Sequence, residues 1–420
     1  MFWPGSQFKC NATQYLHSLN QGKILVKNQN LLFLYIAELC AGFARGAYLV
    51  CIGWTTLIVS GDVAVVGQVF IVAMITTIVA GPFVGIIVDR YNRKHLTILV
   101  HLGMSVSLMS LGFAVAFDGQ TSIIWFFVIV VIVTIFRNLY QGAHDGLIHA
   151  NVSTEEMIHA VARFRGIHLL ATAVGTVLTG IAIEYQSATA GFLLAAFSSV
   201  FLVMAIAFVK GVTSKENATG LAGFLKDFSG GLALFRNNHV LRVLTILAGV
   251  ALPIGQLSNA ILSSFIHDDL GRGSDAFGLV DAAWPVGGMA AAAILSLGLR
   301  KLAAPNMEYV FSMLVGVTTI VFSFCSAVIS LAIMHAAMGF SVWMCRIVID
   351  GRVLQICTVK TVGRTKVYIN IMFSFAAMIM CFSPTLIKLP FTNDYFLYWG
   401  FFVVLSSGAL WIGQLRKNPI

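Results

Sequence analysis

One recurrence constrains this chain more than any other feature. Apolar runs of about 20 residues follow one another from Leu31 to the neighbourhood of Leu415, broken only by short polar segments. Each run is long enough to cross a hydrocarbon core of about 30 Å as a helix. Helices and closed barrels are the only forms that satisfy a lipid-exposed backbone, and the alternating pattern of a membrane barrel is absent. The composition agrees, with 58% hydrophobic and 10% charged residues and a mean hydropathy of +0.89, against about 25% charged residues in a soluble domain. The chain reads as an all-α polytopic membrane protein.

Twelve spans fit the pattern: about 31–59, 62–88, 94–117, 122–145, 165–185, 190–210, 240–263, 276–299, 308–326, 329–351, 367–387 and 395–415. They divide into a six-helix bundle over 31–210 and a second over 240–415, with a lead at 1–30, a linker at 211–239 and a tail at 416–420. Within the linker Phe224, Leu225, Phe228, Leu232 and Phe235 recur at helical spacing, predicting an amphipathic helix on the membrane surface. The first run reads as a retained span, being too long for a signal peptide. Lysine and arginine crowd one set of loops, whereas the other set holds only Arg272 and Lys388. Loops rich in these bases stay in the cytoplasm, so both termini are expected there.

This distribution also accounts for the net charge of +9, and no nucleic-acid partner is implied. The seven cysteines have no metal-ligand spacing and read as structural thiols. The gathered His144, His149 and His159, and the outer His267-Asp268-Asp269, likewise lack a metal-site spacing. No phosphate-binding Gly-x-x-x-x-Gly-Lys-Ser/Thr loop and no hydrolytic constellation stands out. Neither a cofactor nor enzymatic activity is expected.

The densest polar break is Gly81-Pro-Phe-Val-Gly-Ile-Ile-Val-Asp-Arg-Tyr-Asn-Arg-Lys94, a short charged loop between spans two and three. Its Gly85, Asp89, Arg90, Arg93 and Lys94 resemble the inner-loop motif of the major facilitator superfamily. More narrowly, the stretch looks like the version in macrolide efflux proteins and the related enterobactin exporters. Phe136-Arg137, Val152 to Met157 and Phe224 to Arg242 are similar to that group as well. The resemblance implies two pseudo-repeated six-helix bundles around a central cavity, in the inner membrane of a bacterium. Asn92 stands where that motif usually has glycine, and asparagine can still adopt a left-handed turn. Span four lacks the group's usual proline at Asp145-Gly146, and Arg45 replaces an acid in span one.

A charge at the bilayer centre costs about 2.5–3.5 kcal/mol on insertion scales, so charges inside spans face a partner or a watery cavity. Glu38 and Arg45 in span one lie two helical turns apart on one face, as an internal ion pair or a cavity pair. Arg137, Gln141, His144 and Asp145 form a stripe on span four. Gln256 and Asn259 on span seven, Asp281 and Trp284 on span eight, and Trp343, Arg346 and Asp350 on span ten make further polar faces, with Pro285 expected to bend span eight. Glu38 and Asp281 are the candidates for proton coupling. The inner-loop motif, with Asp145 and Asp350, is assigned to a latch that shuts the inner gate, Asp89 and Arg93 meeting Asp145 and the start of span eleven. Asp145-Gly146 and Asp350-Gly351 recur at the ends of spans four and ten, a faint internal repeat.

The expected function is secondary transport by alternating access: proton-coupled export of an amphipathic or anionic small molecule of drug or siderophore type. The alternatives are uptake or exchange of an anion or metal chelate, and a transporter-shaped assembly or sensing component. The partners expected are the small-molecule substrate, the proton and the lipid bilayer, with the protein monomeric.

Overall fold

The computed structural model describes residues 7–117, 122–153, 157–210, 238–296, 306–357 and 359–417, with backbone alone over 7–28. The linker's amphipathic helix and Thr154 to Glu156 lie outside them. The first bundle contains α1 Gln7–Ser60, α2 Val63–Arg90, α3 Arg93–Phe117, α4 Ile123–Asn151, α5 Met157–Tyr185 and α6 Ala188–Ala207. The second contains α7 His239–Ala251, α8 Ile254–Ser264, α9 Ser274–Ser296, α10 Met307–Ser323, α11 Val328–Ile356, α12 Val359–Leu386 and α13 Asn393–Lys417. Because α7, α8 and a π turn at Phe265–Asp269 form one broken span, twelve spans result. Eleven are long and apolar enough to cross a membrane, and α10, with 17 residues, is the short one.

Helix ends follow local chemistry. Asp62, Ser187 and Asn238 accept hydrogen bonds from the first free amides of α2, α6 and α7. Asn92 does the same for α3, its Oδ1 accepting from the Lys94 and His95 amides at 3.0 and 3.3 Å. It therefore acts as a cap and does not take the left-handed turn open to it, the one non-glycine residue of positive φ among the described residues being Asn306. At Pro285, where a bend is expected, α9 remains helical through the residue, and span seven breaks at Leu252-Pro253. The first helix begins at Gln7, so the lead expected before Leu31 is continuous with the span.

The two bundles repeat one packing scheme. In the first, α1 packs on α5, α3 on α6 and α2 on α4; in the second the counterparts are α7–α8 on α12, α10 on α13 and α9 on α11. Between bundles α5 meets α9 and α2 meets α12, positions that exchange under the same repeat. These cross-bundle contacts lie toward the α1–α2 hairpin. Gly180 and Gly278 bring α5 and α9 so close that a Cβ on Gly180 would stand 2.5 Å from the Ser274 carbonyl oxygen. Beside them the Glu184 carboxylate accepts from the Ser274 amide at 2.8 Å and its hydroxyl at 3.0 Å, and the Trp54 ring stacks on Phe277. Toward the α2–α3 hairpin the bundles part, leaving a cavity open to that face.

Candidate substrate cavity

The cavity encloses about 550 Å³ between the bundles. Its wall takes Glu38, Arg45 and Tyr48 from α1, Arg137, Gln141, His144 and Asp145 from α4, and Arg165 and His168 from α5. The second bundle closes it with Arg346 of α11 and Asn370, Phe373 and Ser374 of α12. A side chamber of about 150 Å³ shares Arg45, Tyr48 and Arg137 and adds Gln256. A smaller one of about 90 Å³ sits at Arg346, Asp350 and Lys366. Four arginines thus face the main cavity against two carboxylates, Glu38 and Asp145.

Glu38 does not pair with Arg45. Its carboxylate is clamped by two imidazoles, His144 Nε2 at 2.7 Å and His168 Nδ1 at 2.8 Å, and accepts a longer bond from the Tyr140 hydroxyl at 3.4 Å. Close crossing of α1 and α5 fixes this geometry, since a Cβ on Gly42 would stand 2.4 Å from the His168 carbonyl oxygen. Tyr140 stacks on His144 and receives His101 edge-on at 4.5 Å between centroids. With Glu38 occupied, Arg45, Arg137 and Arg346 have no carboxylate within ion-pair distance among the described residues. Arg45 lies over the Tyr48 ring, 5.9 Å from its centroid, and interacts at longer range with Asp281.

Other expected site residues do different work. Asp281 is buried on α9 outside the cavity lining. The Trp284 indole sits over Gly255 and the Trp343 indole over Gly288, so both aromatics pack helices together. Asn259 donates to Gln256 Oε1 at 3.5 Å and lies outside the lining. At the α2–α3 hairpin Arg93 Nη1 donates to the Gly146 carbonyl at 3.4 Å, one residue beyond Asp145. Lys94 Nζ donates to the Ala207 and Val209 carbonyls, both at 2.7 Å, neutralising the negative end of α6. Arg90 and Gly85 are exposed, and the Asp89 side chain lies outside the described residues. In this state the motif's bases tie α3 to α4 and α6.

His101, Tyr140 and His168 were missed from sequence. A single titratable residue inside an apolar run was the available signal for each histidine, but their convergence on Glu38 depends on which helices touch. The outer His267-Asp268-Asp269 is structural: Asp268 accepts from Ser264 at 2.6 Å, and Asp269 from the Asn393 amide at 3.0 Å, tying span seven to α13. Among the described residues no group of three or more His, Cys, Asp or Glu side chains could hold a metal ion.

Comparison with known proteins follows the same lines. Crystal structures of the nucleoside transporter NupG share the fold: a mutant form superposes with a TM-score of 0.76 at 12% identity, covering 91% of this chain and 99% of that one. A second NupG structure gives 0.74 at 13% identity, covering 91% and 98%. No curated protein matches the sequence, and nothing supports the narrower likeness to macrolide efflux or enterobactin exporters. The Major Facilitator Superfamily model matches residues 34–381, most of both bundles. The chain belongs to the major facilitator superfamily, and is a multi-pass secondary transporter.

Proposed function

We propose that the substrate is a small organic anion, bound between the bundles at Arg45, Arg137 and Arg346 and released by alternating access. The observation carrying this reading is the set of arginines from both bundles without a carboxylate partner. Guanidinium groups facing a cavity of low dielectric attract an anion far more strongly than they would in bulk water. Tyr48, Phe164 and Phe373 in the same wall suit an aromatic or apolar body on that anion. Contribution from both bundles matters, because a ligand that bridges them favours closure of the open face.

Export of a drug or siderophore and uptake of an anion or chelate both remain compatible with such a cavity. A neutral nucleoside is the second reading, favoured by the amides of Asn138, Gln141 and Asn370 in the lining and by the substrate named for NupG. Binding of benzoate, uridine 5′-monophosphate and uridine to purified protein in nanodiscs separates them. The two anions should bind, uridine should not, and Arg137→Gln should weaken both anions at least 10-fold. Uridine binding that is indifferent to Arg45→Gln and Arg137→Gln would sink the anionic reading. The excess of lysine and arginine supports a bacterial inner-membrane protein with its base-rich loops and termini on the cytoplasmic side; a reporter fused to the C-terminus that is active only outside would reverse that orientation.

A further inference from the structure

We infer that Glu38, His144 and His168 form the proton-loading site of the transporter, and that its occupancy strengthens anion binding, so that proton and substrate move together. The second half of this statement rests on the anionic reading above; the first half does not. The geometry is built from three helices, with the carboxylate of α1 held at 2.7 Å by an imidazole of α4 and at 2.8 Å by one of α5. The two contacts are close ion-pair distances whose ring geometry does not complete a hydrogen bond; with Glu38 ionised, hydrogens on both facing nitrogens make them attractive, since a carboxylate only accepts. One further proton then has three places to reside, and the cluster can gain or lose charge without moving its helices. Glu38 and His144 are almost wholly buried, whereas the His168 side chain is 25% exposed and opens on the cavity. That exposure gives the proton its route to water.

The surroundings set the sign of the coupling. Arg45 shares α1 with Glu38 and faces the same cavity. From α3 comes His101, neither of whose ring nitrogens has a hydrogen-bond partner among the described residues. Helix α4 supplies Arg137, Tyr140 and Asp145, and α5 supplies Arg165. Arg346 faces them from α11, while α12 lines this cavity with neutral side chains and sends Lys366 to the small chamber beside Asp350. Helix α6, also packed on α1, has no titratable residue. A proton added to the cluster makes a cavity already rich in arginine more positive and improves its affinity for an anion. By linkage, a bound anion must improve proton affinity by the same factor. That is the thermodynamic signature of symport and the opposite of drug–proton antiport. It also reassigns coupling from Asp281, which lies off the cavity wall, to the first bundle.

The protein labelled with ¹⁵N-histidine in nanodiscs tests the proton site without any substrate. Imidazole resonances, assigned through His144→Gln and His168→Gln, should show the two rings gaining or losing their shared proton together as pH is stepped across the working range of the protein. Glu38→Gln should uncouple them, leaving unmoved His335, whose two nitrogens are held by Ser258 and the Val280 carbonyl. If both histidines keep one protonation state over this range, the proton site does not exist. Calorimetry of benzoate binding in two buffers of different ionisation enthalpy tests the linkage. Net proton uptake should accompany binding, affinity should rise on the order of 10-fold between pH 8 and pH 6, and both effects should vanish in Glu38→Gln. Benzoate that binds with no proton uptake overturns the symport sign. Benzoate that fails to bind overturns the anionic reading, and the histidine spectra still decide the proton site.

Discussion

Glu38 was legible as an intramembrane carboxylate that needs a partner, but not as one that rejects Arg45. Two residues at a spacing of seven share a helix face, yet the nearer partners come from α4 and α5 at 2.7 and 2.8 Å. Sequence reasoning sees neighbours within one helix and is blind to those across a crossing. The same limit explains Trp284 and Trp343, which share faces with Asp281 and Arg346 but fill the hollows above Gly255 and Gly288. Trp284→Ala should therefore cost about 3–5 kcal/mol of stability, read as a lower unfolding midpoint in detergent, with anion affinity of the surviving folded protein unchanged. Lys94→Met should cost about 1 kcal/mol in the same assay through the exposed carbonyls of α6. A loss of anion binding without loss of stability would instead place either residue at the ligand.

At the scale of the element, apolar length alone located every span, because a helix in lipid must bury its own backbone groups. What it could not place were the interruptions. Pro285 sits inside continuous α9, whereas Pro253 marks the break between α7 and α8, and both read alike in sequence as proline in an apolar run. The inner-loop motif was legible as a charged hairpin. Its detailed role was not, since Arg93 and Lys94 address backbone carbonyls of α4 and the end of α6, acceptors that exist at every position. The closed face rests on the crossing of α5 and α9. Gly180→Ala would place a methyl 2.5 Å from the Ser274 carbonyl oxygen and 3.0 Å from Gly278 Cα, so it should force that face apart. Spin-label distances across it should lengthen in Gly180→Ala; an unchanged distance would show that the helices absorb the methyl without moving the bundles. Glu184→Gln, which keeps the hydrogen bonds to Ser274 in weakened form, should shift the same distribution less.

For the whole molecule, the repeat was faintly visible in Asp145-Gly146 and Asp350-Gly351, and it reappears as matched helix packing in the two bundles. The bundles are held at one face and parted at the other, so exchange of access requires breaking the α5–α9 and α2–α12 contacts and making new ones at the α2–α3 side. A cluster of unpaired arginines resists that closure through like-charge repulsion, and a bound anion removes the repulsion. This links binding chemistry to rocking. The most direct measurement is electron–electron resonance on labels at Ala150 and Gln355, exposed on the open face of either bundle, with a second pair at Gln186 and Lys388 on the closed face. Adding uridine 5′-monophosphate or benzoate at pH 6 should shorten the first distance and lengthen the second, and Arg137→Gln should abolish both changes. Distances that stay fixed with saturating bound anion would contradict an anion-driven alternating-access transporter.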